Sequence, residues 1–379
     1  MLNSLAQQRI ARLAPPSPMG SYTPEDCVFL LKNINGLVAE QDTLQRERAI
    51  QSGTHYSAML PVEYAPKKDY LDLFFSTLEQ SAGMVAAHTA TAAAKIVKER
   101  GRKVVLVSLA RAGTPVGVLL TRYIRQKLGF APPHYSISII RDIGIDENAL
   151  LYIVNRHDPA GHGENLQFID GWTGKGVIAK TLNAAVADFN KKYGARLSSK
   201  LAVLSDPGCC AEIFGTRDDY LVPSACLNST VSGLVSRTFF RPDIIGPDDY
   251  HGAKYYAQLK DDDLSGRFVD TVCARFNDAE PDGALVCTQF DATFSGEKQI
   301  AEIMRRFSIP DPNKVKPGVG ETTRVLLRRV PWKILVKPGC ARYLSHILLL
   351  ARERGVPVEE YGGMAYSCCG LIRDLLAGE

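Results

Sequence analysis

Only two of the 379 residues are tryptophan, and none of the nine cysteines stands in a C-x-x-C or C-x-x-H spacing. That spacing supplies the ligands of common structural zinc modules, so no structural zinc is expected. Nine is an odd number, and Cys209 and Cys210, like Cys368 and Cys369, are adjacent in sequence, so reduced thiols are expected rather than a disulfide frame. Apolar runs are short, Ile347 to Ala351 for example, against the roughly 20 residues a spanning helix needs, and no transmembrane segment is expected. The stretch from Met1 to Leu13 alternates apolar and polar residues and runs into Pro15, Pro16 and Pro18. It lacks the apolar core and small-residue cleavage site of a secretory leader, and a cytoplasmic protein is expected. Internal repeats and low-complexity tracts are also missing, which argues against solenoids and linkers.

What is present is ordinary globular material: 45% hydrophobic and 23% charged residues, enough for two or three domains at about 150 residues each. The net charge of +4 is unevenly spread. From Leu285 to Glu379 there are 14 Lys and Arg against 10 Asp and Glu, so the whole excess lies in that segment. Between Pro310 and Arg342 eight basic residues (Lys314, Lys316, Arg324, Arg328, Arg329, Lys333, Lys337 and Arg342) face only Asp311 and Glu321. Such a local field suits a polyanion, and it equally suits a solvated basic helix face.

Ser21 to Glu25 reads as a cap before a helix carrying Val28, Leu30 and Leu31. Tyr70 to Lys98 is Ala-rich and helical, stopped by Gly101. From there strands and helices alternate: strand Val104 to Val107, helix Pro115 to Leu128, strand His134 to Ile140, helix Glu147 to Asn155, strand Leu166 to Ile169, helix Val177 to Tyr193 and strand Leu201 to Leu204. Four strands separated by helices imply a parallel sheet with helices on both faces. Two breaker-rich stretches, 277–283 and 309–318, bracket a short strand and a helix from Gly296 to Phe307. Beyond them the pattern is helix (Thr322 to Arg329), strand (Lys333 to Val336), helix (Ala341 to Arg354), strand (Val358 to Tyr361) and a last short helix. The domains expected are 21–276 with an N-terminal extension, a connecting segment 277–309, and a small α/β/α module 310–379.

In parallel α/β sheets ligands bind at the carboxyl ends of strands. Two loops there carry the chemistry. In Ala110-Arg111-Ala112-Gly113, glycine permits close approach of backbone to an anion and Arg111 adds a fork of donors. In Asp170-Gly171-Trp172-Thr173-Gly174-Lys175-Gly176, a carboxylate is followed by the amides that open the Val177 helix. Gly174-Lys175 is not a Walker loop, because Gly171 is too close and Gly176 is not a hydroxyl. A carboxylate beside a phosphate nest suits a sugar phosphate.

This pair of loops resembles the type I phosphoribosyltransferases. More closely, His55 to Pro61, Phe168 to Gly176, Tyr250 to Tyr256 and Phe268 to Val272 look like the phosphoribosyltransferase-like proteins of tellurium-resistance (Ter) stress loci, also labelled cysteine protease StiP. In that family the C-terminal module resembles the Pelota and L7Ae-type RNA-binding domain, and Gly318 to Arg324 is similar to its Gly-x-Asn-Glu-x-x-Lys signature, with Gly320 in place of Asn. The resemblance implies a type I phosphoribosyltransferase-like sheet plus a Pelota-like domain. It further implies an enzyme that uses phosphoribosyl pyrophosphate and Mg²⁺ to make a nucleoside-like or nucleotide product, with the metal held through substrate and Asp170. Arg111 would hold pyrophosphate, Asp170 the ribose hydroxyls, and Thr173 to Gly176 the 5′-phosphate. Gly318, Glu321, Arg324, Arg328 and Lys337 would contact RNA, and a homodimer is a fold-level expectation.

Other readings stand beside these. A turn with a helix cap accounts for Asp170 and Thr173, and a surface salt bridge for Arg111. Arg141 and Asp142 would close over the substrate or simply pair with each other, and Trp172 would stack on a base or plug the core. Asp206 to Cys210 follows a strand on the same carboxyl edge. The chain is alternatively a non-catalytic nucleotide- or RNA-binding regulator, since Gly171 replaces the family's second acid. A third alternative is a cysteine hydrolase using Cys209 or Cys210 with His55 or His251.

Overall fold

The computed structural model describes residues 2–158, 160–340 and 343–372. Helix α1 (Ser4–Ile10), capped by Asn3, is tied to the body by Arg9, which donates to Asn148 and Tyr193. The helix expected around Val28 is replaced by two short strands, β1 (Val28–Phe29) and β2 (Lys32–Asn33). A Thr23 turn holds the amides of Asp26 and Cys27, after which the chain extends. Leu30 and Leu31 then point to opposite sides and enter different apolar clusters, the period of two that a strand gives and a helix does not. Strand β3 (Glu40–Gln41), helix α2 (Thr43–Gln51) with its Asp42–Gln45 capping box, and β4 (Leu60–Pro61) complete the extension.

Helix α3 (Lys68–Arg100) ends at Gly101, whose φ of 71° is costly for other residues. There follow β5 (Val105–Ala110), α4 (Gly113–Lys127), β6 (His134–Ile140), β7 (Gly144–Ile145), α5 (Glu147–His157), β8 (Leu166–Ile169), α6 (Val177–Tyr193), β9 (Leu201–Ser205) and β10 (Ile213–Thr216). The sheet runs β1-β6-β5-β8-β9-β10, all parallel, with β7 antiparallel against β6. Residues alternate across it: Leu106 faces α3 and α4, whereas Val105 and Val107 face α5 and α6. Chain order reverses direction between β5 and β8, so the loops after these two strands flank the crevice where such sheets bind ligands.

Strand β11 (Gly252–Ala253) pairs with β2, and α7 (Ser265–Cys273) packs on α3 and α4. The short strand expected next is a single helical turn, α8 (Gly283–Cys287), capped by Asp282; five residues are too few for periodicity to declare itself. After α9 (Ser295–Arg306) come β12 (Val315–Pro317), α10 (Val319–Arg328), β13 (Pro331–Val336), α11 (Ser345–Glu353), β14 (Val358–Glu360) and β15 (Cys368–Ile372). The second sheet runs β12-β15-β13-β14, with β15 antiparallel to both its neighbours. Strand β15 stands where a last short helix was expected. It is buried on both faces, Cys368 in one core and Cys369 in another, and Gly370 leaves room for Val325 at 3.2 Å from where a Cβ would stand.

This module is welded to the first. Val319, Leu326, Ile347 and Cys368 share one apolar cluster with α3 and α4, while Ile300 and Ile303 of α9 join Val315, Leu335 and Leu371 beneath the small sheet. Between the two, buried Asp219 accepts from the amides of Val319 (2.9 Å) and Ser367 (2.8 Å), and the Ser367 hydroxyl donates back to its carbonyl. Burial pushes this carboxyl up to about 6, against the pull of those amides.

Candidate functional site

At the carboxyl ends of β5 and β8 a cleft of about 420 Å³ opens between the main sheet and the second module. Its walls include Tyr56, Ala112, Arg141, Asp170, Trp172 and Lys175 from the first and Lys316, Glu321 and Arg324 from the second. The approach of the two loops depends on glycine: a Cβ on Gly113 would lie 2.3 Å from the Ile169 carbonyl oxygen, and one on Gly171 3.2 Å from that of Ala112. Gly176 opens α6 at a φ of 80°, where a Cβ would strike the Phe294 ring and the Cys210 sulfur.

Asp170 extends the sheet by donating its amide to the Ala202 carbonyl, and its Oδ1 accepts from the Gly171 amide at 2.8 Å. Burial raises its carboxyl to about 7; the Gly171 bond and the field of Arg324 oppose this without cancelling it. Lys175 donates to the Pro312 carbonyl at 2.5 Å, and burial followed by repulsion from Lys316 lowers its amine to about 8. Arg324 bonds Glu321 at 3.1 Å and lies over the Trp172 ring at 5.4 Å. Arg141 lies over the Tyr56 ring at 5.3 Å and reaches Asn313 at 3.5 Å, and Arg237 lies over the same ring at 4.9 Å, so Tyr56 carries two guanidinium groups and Trp172 one. Groups titrating near neutrality, set among cations, can exchange protons with a bound anionic substrate.

The expected residues are only partly brought together. Ala112, Gly113, Asp170, Gly171, Thr173, Gly174, Lys175 and Gly176 meet around the cleft. Arg111 pairs with Glu63 at 3.7 Å and reaches the Val235 carbonyl at 3.4 Å, and Ala110 stays in register with Ser138 in the sheet. Thr173 spends its amide on Ser205 and its hydroxyl on Asp206 at 2.5 Å. Trp172, partly buried, packs against the main apolar cluster and also lines the cleft under Arg324. On the second module Glu321 and Arg324 face the cleft, whereas Gly318 packs beside Asp219 and Lys337 hangs after β13 with its amide on Ser367. Arg328 closes α10, but its side chain, like Arg342, lies outside the described residues. Tyr56, Asn313 and Lys316 were not singled out as site residues. Only the basic run Lys314 to Lys316 hinted at one of them.

Beside the cleft lies the loop after β9. Asp206, fully buried, accepts from Thr173, from the amides of Cys210 (2.8 Å) and Ala211 (3.1 Å), and from the Arg217 guanidinium. Cys209, partly exposed, is held at a φ of 52°, a left-handed conformation that costs a non-glycine residue energy and concentrates at functional sites. Cys210 is buried with its sulfur 3.8 Å from the Gly174 carbonyl oxygen, and burial pushes its thiol up to about 12. None of the nine cysteines is in a disulfide. The histidines expected as partners are engaged elsewhere, His55 with Ser57 at 2.8 Å and His251 with Ser138 at 2.9 Å. Among the described residues no cluster of three or more His, Cys, Asp or Glu is set to hold a metal ion, and no helix is long and apolar enough to cross a membrane.

Comparison with known proteins adds two matches. The family model described as tellurite-like stress resistance cysteine protease StiP covers residues 20–273, and that of the PELOTA RNA binding domain covers residues 294–374. A curated relative, "Cysteine protease StiP" of Acinetobacter baylyi (strain ATCC 33305 / BD413 / ADP1), is 36% identical in an alignment 376 residues long that covers 95% of each chain. This relationship overturns the phosphoribosyltransferase expectation, and phosphoribosyl pyrophosphate as its substrate, because a relative matched over nearly its whole length is named a cysteine protease.

Proposed function

The chain belongs to the StiP family, and from that premise we propose that it is a cysteine hydrolase of a stress response, with its substrate in the cleft and RNA held on the second module. The observation that carries the reading is the placement of Cys209. Of the nine cysteines it is the one that is both partly exposed and at the carboxyl edge of the parallel sheet, on a loop whose conformation Asp206 enforces from beneath. The neighbouring Cys210 is too deeply buried to serve as the nucleophile. In this reading the Cys209 sulfur attacks an acyl carbon, the thiol proton passes by way of Asp170, whose carboxyl titrates near 7, to the departing group, and water then releases the acyl group from sulfur. Brief labelling of the native protein with iodoacetamide, read by peptide mass mapping, tests the assignment. Cys209 is expected to be alkylated well ahead of Cys210, and protection of Cys209 by substrate is expected to slow it. Preferential labelling of Cys210, or indifference of Cys209 to substrate, would contradict it.

RNA contact has its own support. The second module matches an RNA-binding family, and its Lys316 and Arg324 join Arg141 and Lys175 around the same cleft, with Tyr56 and Trp172 as flat faces. Phosphates would meet the cations and an unpaired base the rings. Binding of a single-stranded oligoribonucleotide, followed as a function of salt, is expected to weaken in Lys316→Ala and Arg324→Ala, each reducing the slope of log K against log salt by about 1. An unchanged slope in both variants would place RNA elsewhere. RNA binding with no hydrolysis in the unmodified protein would favour a regulator over an enzyme.

A further inference from the structure

On the opposite end of the sheet, before β9 and β10 begin, a second cavity of about 300 Å³ is lined by Lys95, Lys98, Glu99, Lys200, Glu212 and Phe290 among others. Lys95 is 7% exposed, and its Nζ has no hydrogen-bond partner among the described residues. Instead the nitrogen sits 4.5 Å from the ring centroids of both Phe214 and Phe290, which meet edge to face at 4.9 Å. Two aromatic faces offset part of the cost of a buried ammonium, but they accept no hydrogen bond, and an amine so placed is a poor choice for stability alone. Burial first, then the Arg217 charge, lowers it to about 8, so a sizeable fraction is free base near neutral pH.

The carboxylates around the cavity have separate tasks. Glu99 holds Lys200 at 2.6 Å, while Glu212 accepts from the Leu201 amide at 3.1 Å and has its carboxyl raised, chiefly by burial. Glu212 is thus the group there best able to carry a proton. Phe290 belongs to the segment between α8 and α9 and is only half-buried. It covers Lys95 from a loop rather than from the rigid core.

We propose that this cavity is a carbonyl site in which Lys95 forms an imine with a small aldehyde, the aromatic walls and the Lys98 and Lys200 ammonium groups at its edge favouring an aromatic aldehyde that carries an acid group. The amine lone pair attacks the carbonyl carbon, forming the C–N bond as the carbonyl π pair moves to oxygen. A proton passes from nitrogen to that oxygen by way of Glu212, giving a carbinolamine. Loss of water then leaves the C=N double bond, with no net oxidation or reduction. The proposal uses none of the hydrolase chemistry and the cavity lies at the other end of the strands, although Arg217, which holds Asp206, also lies over the Phe214 ring at 3.9 Å and the Phe290 ring at 5.8 Å.

The test uses the full-length protein, 4-carboxybenzaldehyde as probe and cyanoborohydride to reduce any imine to a stable secondary amine, with peptide mass mapping at pH 7.5. Lys95 is expected to carry label at about tenfold the level of Lys98 or Lys200, since a desolvated amine of depressed basicity is the reactive one. Lys95→Arg, which keeps charge and bulk but forms no imine, is expected to abolish the preferred label while circular dichroism stays native. Phe290→Ala is expected to speed labelling of Lys95. Label spread over exposed lysines with Lys95 unmodified would overturn the proposal, and so would label on Lys95 only when Phe290 has been removed, because the native cavity would then be closed to ligand.

Discussion

Asp206→Ala is expected to lower the unfolding free energy by about 3–5 kcal/mol, read as a shift of the urea midpoint at pH 7 with an unchanged slope. The side chain is fully buried and joins three segments: the Thr173 hydroxyl from the loop after β8, the Cys210 and Ala211 amides from the loop after β9, and the Arg217 guanidinium beyond β10. Burial raises the Asp206 carboxyl, against the pull of Arg217, the Thr173 hydroxyl and the two amides. The loss comes from donors stranded without an acceptor, each of which costs about 1–3 kcal/mol when buried. Asp206→Asn, which keeps one acceptor oxygen, is therefore expected to cost less than half as much. A loss below about 1 kcal/mol in the alanine variant would mean that the two loops hold their shape without this carboxylate.

Asp170→Asn is expected to do the reverse, raising stability by about 4 kcal/mol at pH 8 while differing little from the parent at pH 4. The folded carboxyl titrates at about 7, above the unfolded value of about 4. Stability linked to this group is therefore complete below pH 4 and is lost as pH rises through 7, where the folded chain must ionise a buried acid. Asparagine keeps the Oδ1 bond from Gly171 and has nothing to ionise. The same variant is expected to lose the acid–base group of the cleft, so gained stability and lost turnover should appear together, a trade typical of functional residues. If the variant is less stable at pH 8, Arg324 holds the carboxylate more firmly than burial opposes it.

The parallel sheet was legible because its strands are apolar runs closed by glycine or proline: β6 and β8 begin and end where the alternation does, and Gly101 stops α3. Strand β15 was not, because a run buried on both faces, Ser367 to Ile372, has no period to distinguish strand from helix. The two strand-end loops were legible as glycine-rich turns before helices, but their partners were not. Nothing near Arg111 in sequence announces Glu63, and nothing near Lys175 announces Lys316; the fold alone brings each pair together. Cys209 was legible as a candidate nucleophile on the carboxyl edge, but not as distinct from the adjacent Cys210. What separates it from Cys210 is a left-handed backbone and partial exposure, properties of the loop rather than of the residue.

The most direct measurement is hydrolysis of a fluorescent protein substrate by the parent, Cys209→Ser, Cys210→Ser and Cys340→Ser at pH 8, under conditions where all four are folded. Cys209→Ser is expected to fall to background, a loss of about a thousandfold or more. Cys340→Ser, altered on a distant loop of the second module, is expected to match the parent. Full turnover in Cys209→Ser would remove the thiol from the reaction and contradict the hydrolase assignment.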